Sequence, residues 1–198
     1  MKNPNKRGLL IIMSGPSGVG KGTVTKEVMK DKSLNLFYSV SMTTRPQRPG
    51  EVNGREYYFV SKEEFQRNID NNNLLEWAEF VGNRYGTPKD KVEEMRDKGY
   101  NVYLEIEVNG TTQVLKQFSG NDIVSIFLIP PSLEELEKRI RGRSTESEEV
   151  IKERLDKARR ELGLKYNYEY IVLNDEIERA AEEIKGIIRS KMNSTITK

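Results

Sequence analysis

The sequence predicts an α/β fold in which a parallel sheet is flanked by helices, and three observations point there. Short runs that are apolar throughout or nearly so recur at Leu9 to Met13, Val102 to Ile106, Ile123 to Ile129 and Tyr170 to Leu173, as strands buried on both faces of a parallel sheet require. Segments of helical periodicity with recognisable start signals lie between them, the alternation expected of crossover helices. A chain of 198 residues suits one compact unit with a sizeable core.

Leu9 to Met13 opens the order as a buried strand, and a glycine-rich turn and a helical pattern follow it. Residues 39–98 read differently: Arg45 to Gly54 is rich in Pro, Gly and Asn, and Tyr57 to Val60 reads as a short exposed strand, so an inserted α+β lobe is expected. Within it, Ser61 with Glu64 makes a capping box ahead of Phe65 and Ile69, each side chain satisfying an amide that the first helical turn leaves unpaired. A second helix is expected from Thr87 with Pro88 at its first position, and Gly99 suits the left-handed residue that ends it. Further on, Ser132 with Glu135 leads into Leu133, Leu136 and Ile140 on one helix face, and Thr145 with Glu148 leads into Ile151, Leu155, Ala158 and Leu162. Asn174 is expected to cap a last helix carrying Ile177, Ala181, Ile184 and Ile188. There is no internal repeat and no low-complexity tract.

Composition removes whole classes of chemistry. The chain has neither cysteine nor histidine, which excludes disulfides, thiolate metal sites, cysteine nucleophiles and histidine-based triads. Thirty-three basic against 31 acidic residues give a formal charge of only +2, and no long run of one sign is present, so no nucleic-acid partner is expected. The run Leu9 to Met13 is far shorter than the roughly 20 residues of a membrane span, and a soluble, cytoplasmic protein without a membrane partner is expected. Catalysis would rest on Lys, Arg, acidic or hydroxyl side chains, backbone amides or a bound metal ion, an inventory that fits phosphoryl transfer.

Gly15-Pro16-Ser17-Gly18-Val19-Gly20-Lys21 lies between the first strand and the first helical pattern, the context a phosphate-binding P-loop requires. Glycines let the chain curl so that backbone N–H groups face inward, and the following helix adds its positive N-terminal end. Lys21 supplies a mobile full charge to the outer phosphates of a nucleoside triphosphate. The general motif places Ser or Thr directly after the lysine, whereas this chain has Gly22 and then Thr23; Thr23 is left with three roles open, to a phosphate, to Mg²⁺ directly, or to Mg²⁺ through water.

The stretch from Ser39 through Ser41, Thr44-Arg45-Pro46-Gln47-Arg48-Pro49-Gly50 and Asn53-Gly54-Arg55-Glu56-Tyr57 resembles guanylate kinases. Leu75-Glu76-Trp77-Ala78, Arg84-Tyr85-Gly86-Thr87, Leu104-Glu105-Ile106-Glu107 and Arg139-Ile140-Arg141-Gly142-Arg143 with Thr145-Glu146 continue the resemblance in order, over about 8–188. It implies a P-loop NTPase core (1–38, 99–133 and 161–198), a GMP-binding lobe (39–98) and a helical lid (134–160). It also implies ATP as phosphoryl donor, GMP as acceptor and Mg²⁺ as the accompanying ion. In that reading Gly15 to Thr23 hold ATP. Ser41, Arg45, Arg48, Tyr57, Glu76, Tyr85, Thr87, Glu105 and Glu107 hold GMP, and Lys21, Arg45, Arg139, Arg143 and Arg154 act on the transferring phosphate.

The residue chemistry agrees. Guanine presents an N1–H and an exocyclic amine on one edge, and a single carboxylate such as Glu76 accepts from both, whereas adenine lacks the N1–H. By resemblance Ser41 meets O6. Arg45 and Arg48 offer forked donors to a dianionic phosphate, and Tyr57 and Tyr85 add hydroxyls. Glu105 and Glu107 fall at the C-terminal end of a strand, where open α/β sheets place ligands, although an Asp is more usual than Glu107 in this family. Arg139 and Arg143 share a helix face, and with the helix interrupted by Gly142 and the Thr145 cap they are expected to converge with Arg154 as a lid that excludes water. Ser144 stands where relatives often have glycine. Two alternatives compete: a binding module of the same fold that has lost catalysis, in which the loop lysine and lid arginines are typically eroded, and a kinase of another monophosphate or a nucleotide-driven switch.

Overall fold

The computed structural model describes residues 7–80, 82–142 and 147–194. Strand β1 (Leu10–Ser14) is buried at every position, because its two faces meet different layers. Ile11 and Met13 share an apolar cluster with Val24, Val28, Ile184 and Ile188, whereas Leu10 and Ile12 share another with Val92, Val102, Leu104 and Val114. Successive side chains of a strand point to opposite faces, so a strand covered on both sides becomes continuously apolar in sequence.

The sheet around it has the order β2-β7-β1-β8-β9, with β2 (Leu36–Tyr38), β7 (Asn101–Glu105), β8 (Ile123–Ile129) and β9 (Tyr170–Leu173). Every neighbouring pair is parallel. Helices α1 (Lys21–Val28) and α7 (Ile177–Ser194) cover one face, and α3 (Lys89–Asp97) and α4 (Val108–Gln117) cover the other. The second sheet, β4-β3-β6-β5, is built from β3 (Met42–Thr43), β4 (Tyr58–Phe59), β5 (Leu74–Phe80) and β6 (Asn83–Pro88), with α2 (Lys62–Asp70) between β4 and β5. Its β3–β6 and β5–β6 ladders are antiparallel. Helices α5 (Leu133–Gly142) and α6 (Glu148–Leu162) follow β8. Among the described residues no helix is long and apolar enough to cross a membrane.

Several expected starts and stops are met. Ser61 Oγ accepts from Glu64 N (3.0 Å) and Ser132 Oγ from Glu135 N (3.1 Å), and Gly99 is left-handed (φ 84°) after α3. Others are corrected. Thr87 does not begin α3, which starts at Lys89 with Pro88 at the cap; Thr87 belongs to β6 and its hydroxyl is engaged elsewhere. Asn174 does not cap α7, since its side chain donates to Val19 O (2.7 Å) and the helix starts at Ile177. The α6 cap is Ser147, whose side chain accepts from Val150 N, while Thr145 and Glu146 lie outside the described residues. Leu133 stays exposed, leaving Leu136 and Ile140 as the buried face of α5, which is described as far as Gly142; the expected break after it lies outside the described residues.

Arg96 is the largest fully buried side chain among the described residues, 1% exposed. Its Nε donates to Gly8 O (3.0 Å) and its guanidinium pairs with Asp122 (2.5 Å) and Glu93 (3.4 Å). Gly8 N donates back to Arg96 O (2.8 Å), so one cation fastens the entry of β1 to α3 and to the turn before β8. Removing one partner of a buried, hydrogen-bonded ion pair costs about 3–5 kcal/mol. Arg96→Ala should therefore lower stability by about 3 kcal/mol, the low end because Asp122 keeps access to water; urea unfolding followed by circular dichroism measures it.

Candidate functional site

The passage from β1 to α1 is a tight curl. Gly18 and Gly20 take left-handed backbone (φ 85° and 100°), a conformation that side chains disfavour, and the space is closed as well. A Cβ on Gly18 would fall 2.8 Å from Ile140 Cγ1, and one on Gly20 would fall 2.7 Å from Asn174 Nδ2. Gly20 occupies the cap of α1 with no side-chain hydrogen bond, and the first turn carries no acidic residue. The positive end of the helix is thus left available to an anion.

The side-chain contacts to this loop go to its oxygens. Lys21 Nζ donates to Gly15 O (2.8 Å) and Pro16 O (3.3 Å). Val19 O receives Asn174 Nδ2 (2.7 Å) and Arg139 NH1 (3.3 Å), and Arg139 also reaches Asn174 O. Arg154 NH2 donates to Ser17 Oγ (3.0 Å). Arg139 and Arg154 therefore converge on the loop from α5 and α6; Arg143 and Ser144 lie outside the described residues. Burial lowers the Lys21 pKa, opposed by the carboxylates of Glu107, Glu105 and Glu161.

Glu105 ends β7 beside β1, with its Oε1 3.7 Å from where a Gly22 Cβ would stand. It also acts electrostatically on Tyr57 and Tyr38, which marks the meeting of the loop with the second sheet. Glu107 sits at the cap of α4 without capping it. Its carboxylate pairs with Lys157 of α6 (2.9 Å), which also lies 3.6 Å from Glu161.

In the second sheet, Arg45 pairs with Glu51 (2.6 Å) and stands 5.4 Å from the centre of the Tyr57 ring, and Tyr57 meets Tyr85 edge-on at 5.8 Å. The Glu51 hydrogen bond raises the Arg45 pKa and holds the Glu51 carboxyl below its usual range. Burial pushes the Tyr57 hydroxyl up. Arg48 joins through its backbone N–H, which donates to Glu51 Oε2 (2.8 Å), and Ser41 through its carbonyl, which accepts from Tyr58 N (2.9 Å). The sequence reading missed Glu51, the acid that organises both arginines, although it stands in the same Pro- and Gly-rich loop.

Glu76 is only 7% exposed. The register of β5 against β6 shifts between Leu74 and Trp77, so Leu74, Leu75 and Glu76 are all buried, which a regular alternation would forbid. Thr87 Oγ1 donates to Glu76 Oε1 (2.7 Å). Burial nevertheless raises this carboxyl from an ordinary 4.5 to about 7, with the Thr87 bond opposing and the charge of Glu107 adding. Among the described residues it has no cationic partner.

Comparison with known proteins agrees with this geometry. A family model described as guanylate kinase matches residues 7–191. The chain is 58% identical over 188 residues to a guanylate kinase of Mesoplasma florum, covering 95% of this chain and 62% of that one. It is 54% identical over 187 residues to one of Streptococcus thermophilus, covering 94% and 88%. The chain thus spans less than two thirds of the first relative and most of the second. Its fold is similar to the crystal structure of guanylate kinase from Anaplasma phagocytophilum, with TM-score 0.75, 35% identity, and coverage of 94% and 87%.

Val19 is fully buried, so its carbonyl depends on the Asn174 and Arg139 donors. Losing one partner of a buried polar group costs about 1–3 kcal/mol. Asn174→Ala should destabilise by about 1 kcal/mol, because Arg139 stays within reach; the shift of the denaturation midpoint at unchanged slope tests this.

Proposed function

The chain belongs to the guanylate kinase family, and we propose that it transfers the γ-phosphoryl group of ATP to GMP, giving ADP and GDP in purine nucleotide metabolism. The observation that carries this reading is a pairing: an uncapped, glycine-lined helix N-terminus stands on one side, and a buried carboxylate with no cationic partner among the described residues stands on the other. Gly15 to Thr23 cradle the triphosphate, and Lys21 moves from the loop carbonyls to the outer phosphates. Arg139, Arg143 and Arg154 spread positive charge over the transferring group and help exclude water, which competes as acceptor. Arg45, Arg48, Tyr57 and Tyr85 hold the GMP phosphate, whose ionised oxygen attacks the γ-phosphorus in line, so no general base is needed. Glu76, with Thr87 and Ser41, reads guanine. Glu105 and Glu107 border the same space.

Mg²⁺ suits this donor set. No group of three or more acidic side chains able to hold a metal occurs among the described residues, and Mg²⁺ typically takes one or two protein oxygens beside substrate phosphates. Glu105, whose Oε1 stands 3.7 Å from where a Gly22 Cβ would be, would hold it, and it would neutralise phosphate charge. The retained contacts of Lys21, Arg139 and Arg154 with the loop support catalysis over a binding module. No membrane or nucleic-acid partner is proposed, and the location is proposed to be cytoplasmic.

Two substitutions test this reading. Lys21→Ala should cut turnover roughly a thousandfold, the scale of losing one preorganised charge at the reacting phosphate, with the melting temperature retained; undiminished ADP release would refute it. Glu76→Gln should raise the KM for GMP by at least about tenfold and leave that for ATP unchanged. In the wild type, KM for GMP should also rise as pH falls through about 7, and subtracting the variant's profile removes the titration of GMP's own phosphate near pH 6. The sign for stability is opposite. A carboxyl raised from 4.5 to about 7 contributes stability that is full below 4.5 and lost as pH rises through 7. Glu76→Gln should thus be more stable than wild type at pH 8, by about 3 kcal/mol, with the advantage gone near pH 4.

A further inference from the structure

Gly110 is the third residue of α4, a position where helix propensity disfavours glycine. Its backbone is not left-handed, so conformation does not demand the absence of a side chain. Space does. A Cβ there would stand 2.5 Å from Glu76 Oε2, 3.0 Å from its Cδ and 3.3 Å from its Cγ, whereas a Cβ on the helical glycines Gly142 and Gly186 would meet nothing within 4 Å.

The backbone that carries the carboxylate cannot draw back from α4, because β5 is stitched to the helix on both sides of Glu76. Gln113 donates to Trp77 O (2.8 Å) and accepts from Trp77 N (3.1 Å), and Gln117 donates to Leu75 O (2.9 Å). Gly110, Gln113 and Gln117 are three and seven residues apart, so they share one helix face. That stripe fixes the distance between helix and strand, and the glycine sets how deep the side chain between the two bonded residues can lie. Thr87 holds the other oxygen.

We infer that Gly110 is a specificity-determining positioning residue, the seat that lets the Glu76 carboxylate lie where it accepts from both guanine donors. The inference rests on the guanine reading of Glu76 proposed above. A methyl group at position 110 would push the carboxylate off α4 and spoil the two-point match to the base, while the P-loop is left alone.

The test is a cycle of four proteins: wild type, Gly110→Ala, Glu76→Ala and the double variant, with Gly186→Ala as a control helix glycine. Gly110→Ala should raise the KM for GMP about tenfold or more, with kcat at saturating GMP and KM for ATP within about twofold. It should lower the melting temperature, whereas Gly186→Ala raises it. In the Glu76→Ala background, which removes the atoms that the new methyl would strike, Gly110→Ala should raise the melting temperature as Gly186→Ala does and leave GMP binding by calorimetry unchanged. A wild-type KM for GMP in Gly110→Ala, or the same fold-loss in both backgrounds, would overturn the inference. If Gly110→Ala fails to fold, a folded double variant supports the seat and an unfolded one overturns it. Should Glu76→Ala leave GMP affinity intact, the guanine reading falls and the recognition role of Gly110 with it; lost coupling in the melts alone overturns only the seat.

Discussion

The arrangement of this protein depends on keeping the first amides of α1 uncovered at the end of a buried parallel strand. The positive end of a helix is easily closed by an acidic or hydroxyl cap, worth about a kilocalorie per mole in a typical helix. Here glycine occupies the cap instead. The surrounding side chains support the curl without closing it, because Lys21, Asn174, Arg139 and Arg154 all act as donors to loop oxygens. Donors hold the loop from its acceptor side and do not compete with an anion for the amides. A carboxylate could not take over these contacts, since it only accepts; it could hold the loop only through the backbone amides, which would close the positive end of the helix to any other anion.

The same logic governs the charges around Lys21. Burial alone would disfavour its ammonium form, and Glu105, Glu107 and Glu161 oppose that effect. These acids come from the end of β7, the start of α4 and the end of α6, so three elements must be in place together. Lys157 tempers the group by pairing with Glu107 and approaching Glu161. Charge placement thereby couples the sheet to α6, and the site is assembled by the fold as a whole instead of by the loop alone.

What could be read in the sequence follows from how local the deciding physics is. β8 and β9 match their apolar runs residue for residue; in β8 burial on both faces leaves a nearly continuous signature, and the edge strand β9 is legible as a four-residue apolar run although only Val172 in it is fully buried. The three-residue edge strand β2 leaves none, being too short and only partly buried. β5 is hidden because the register shift that buries Glu76 also breaks the alternation by which a strand is recognised. The cap of α6 lies at Ser147, two residues beyond the Thr145 that the sequence favours, since Ser144, Thr145 and Ser147 offer competing local caps. Asn174 looks like a cap in sequence because capping is a common local use of asparagine; its real partner, Val19, is 155 residues away. Gly110 carries no local signal at all, as its reason lies wholly in Glu76.

If Glu76 reads the base as proposed, it shows why a binding residue can be built at the expense of stability. Two features hold its carboxylate, the Thr87 hydroxyl and the hollow at Gly110, and neither supplies a positive charge. The neighbouring Glu107 adds repulsion. In the proposed reading, a ligand that brings two adjacent N–H donors relieves this desolvated charge, and one that brings fewer leaves a buried acceptor unpaired. The discrimination against adenine then arises mainly from what the wrong base fails to satisfy, since an unmet buried polar group costs more than a met one gains. A cationic partner for Glu76 would stabilise the free protein and erase that difference, which gives a physical reason for the carboxylate to be buried without one.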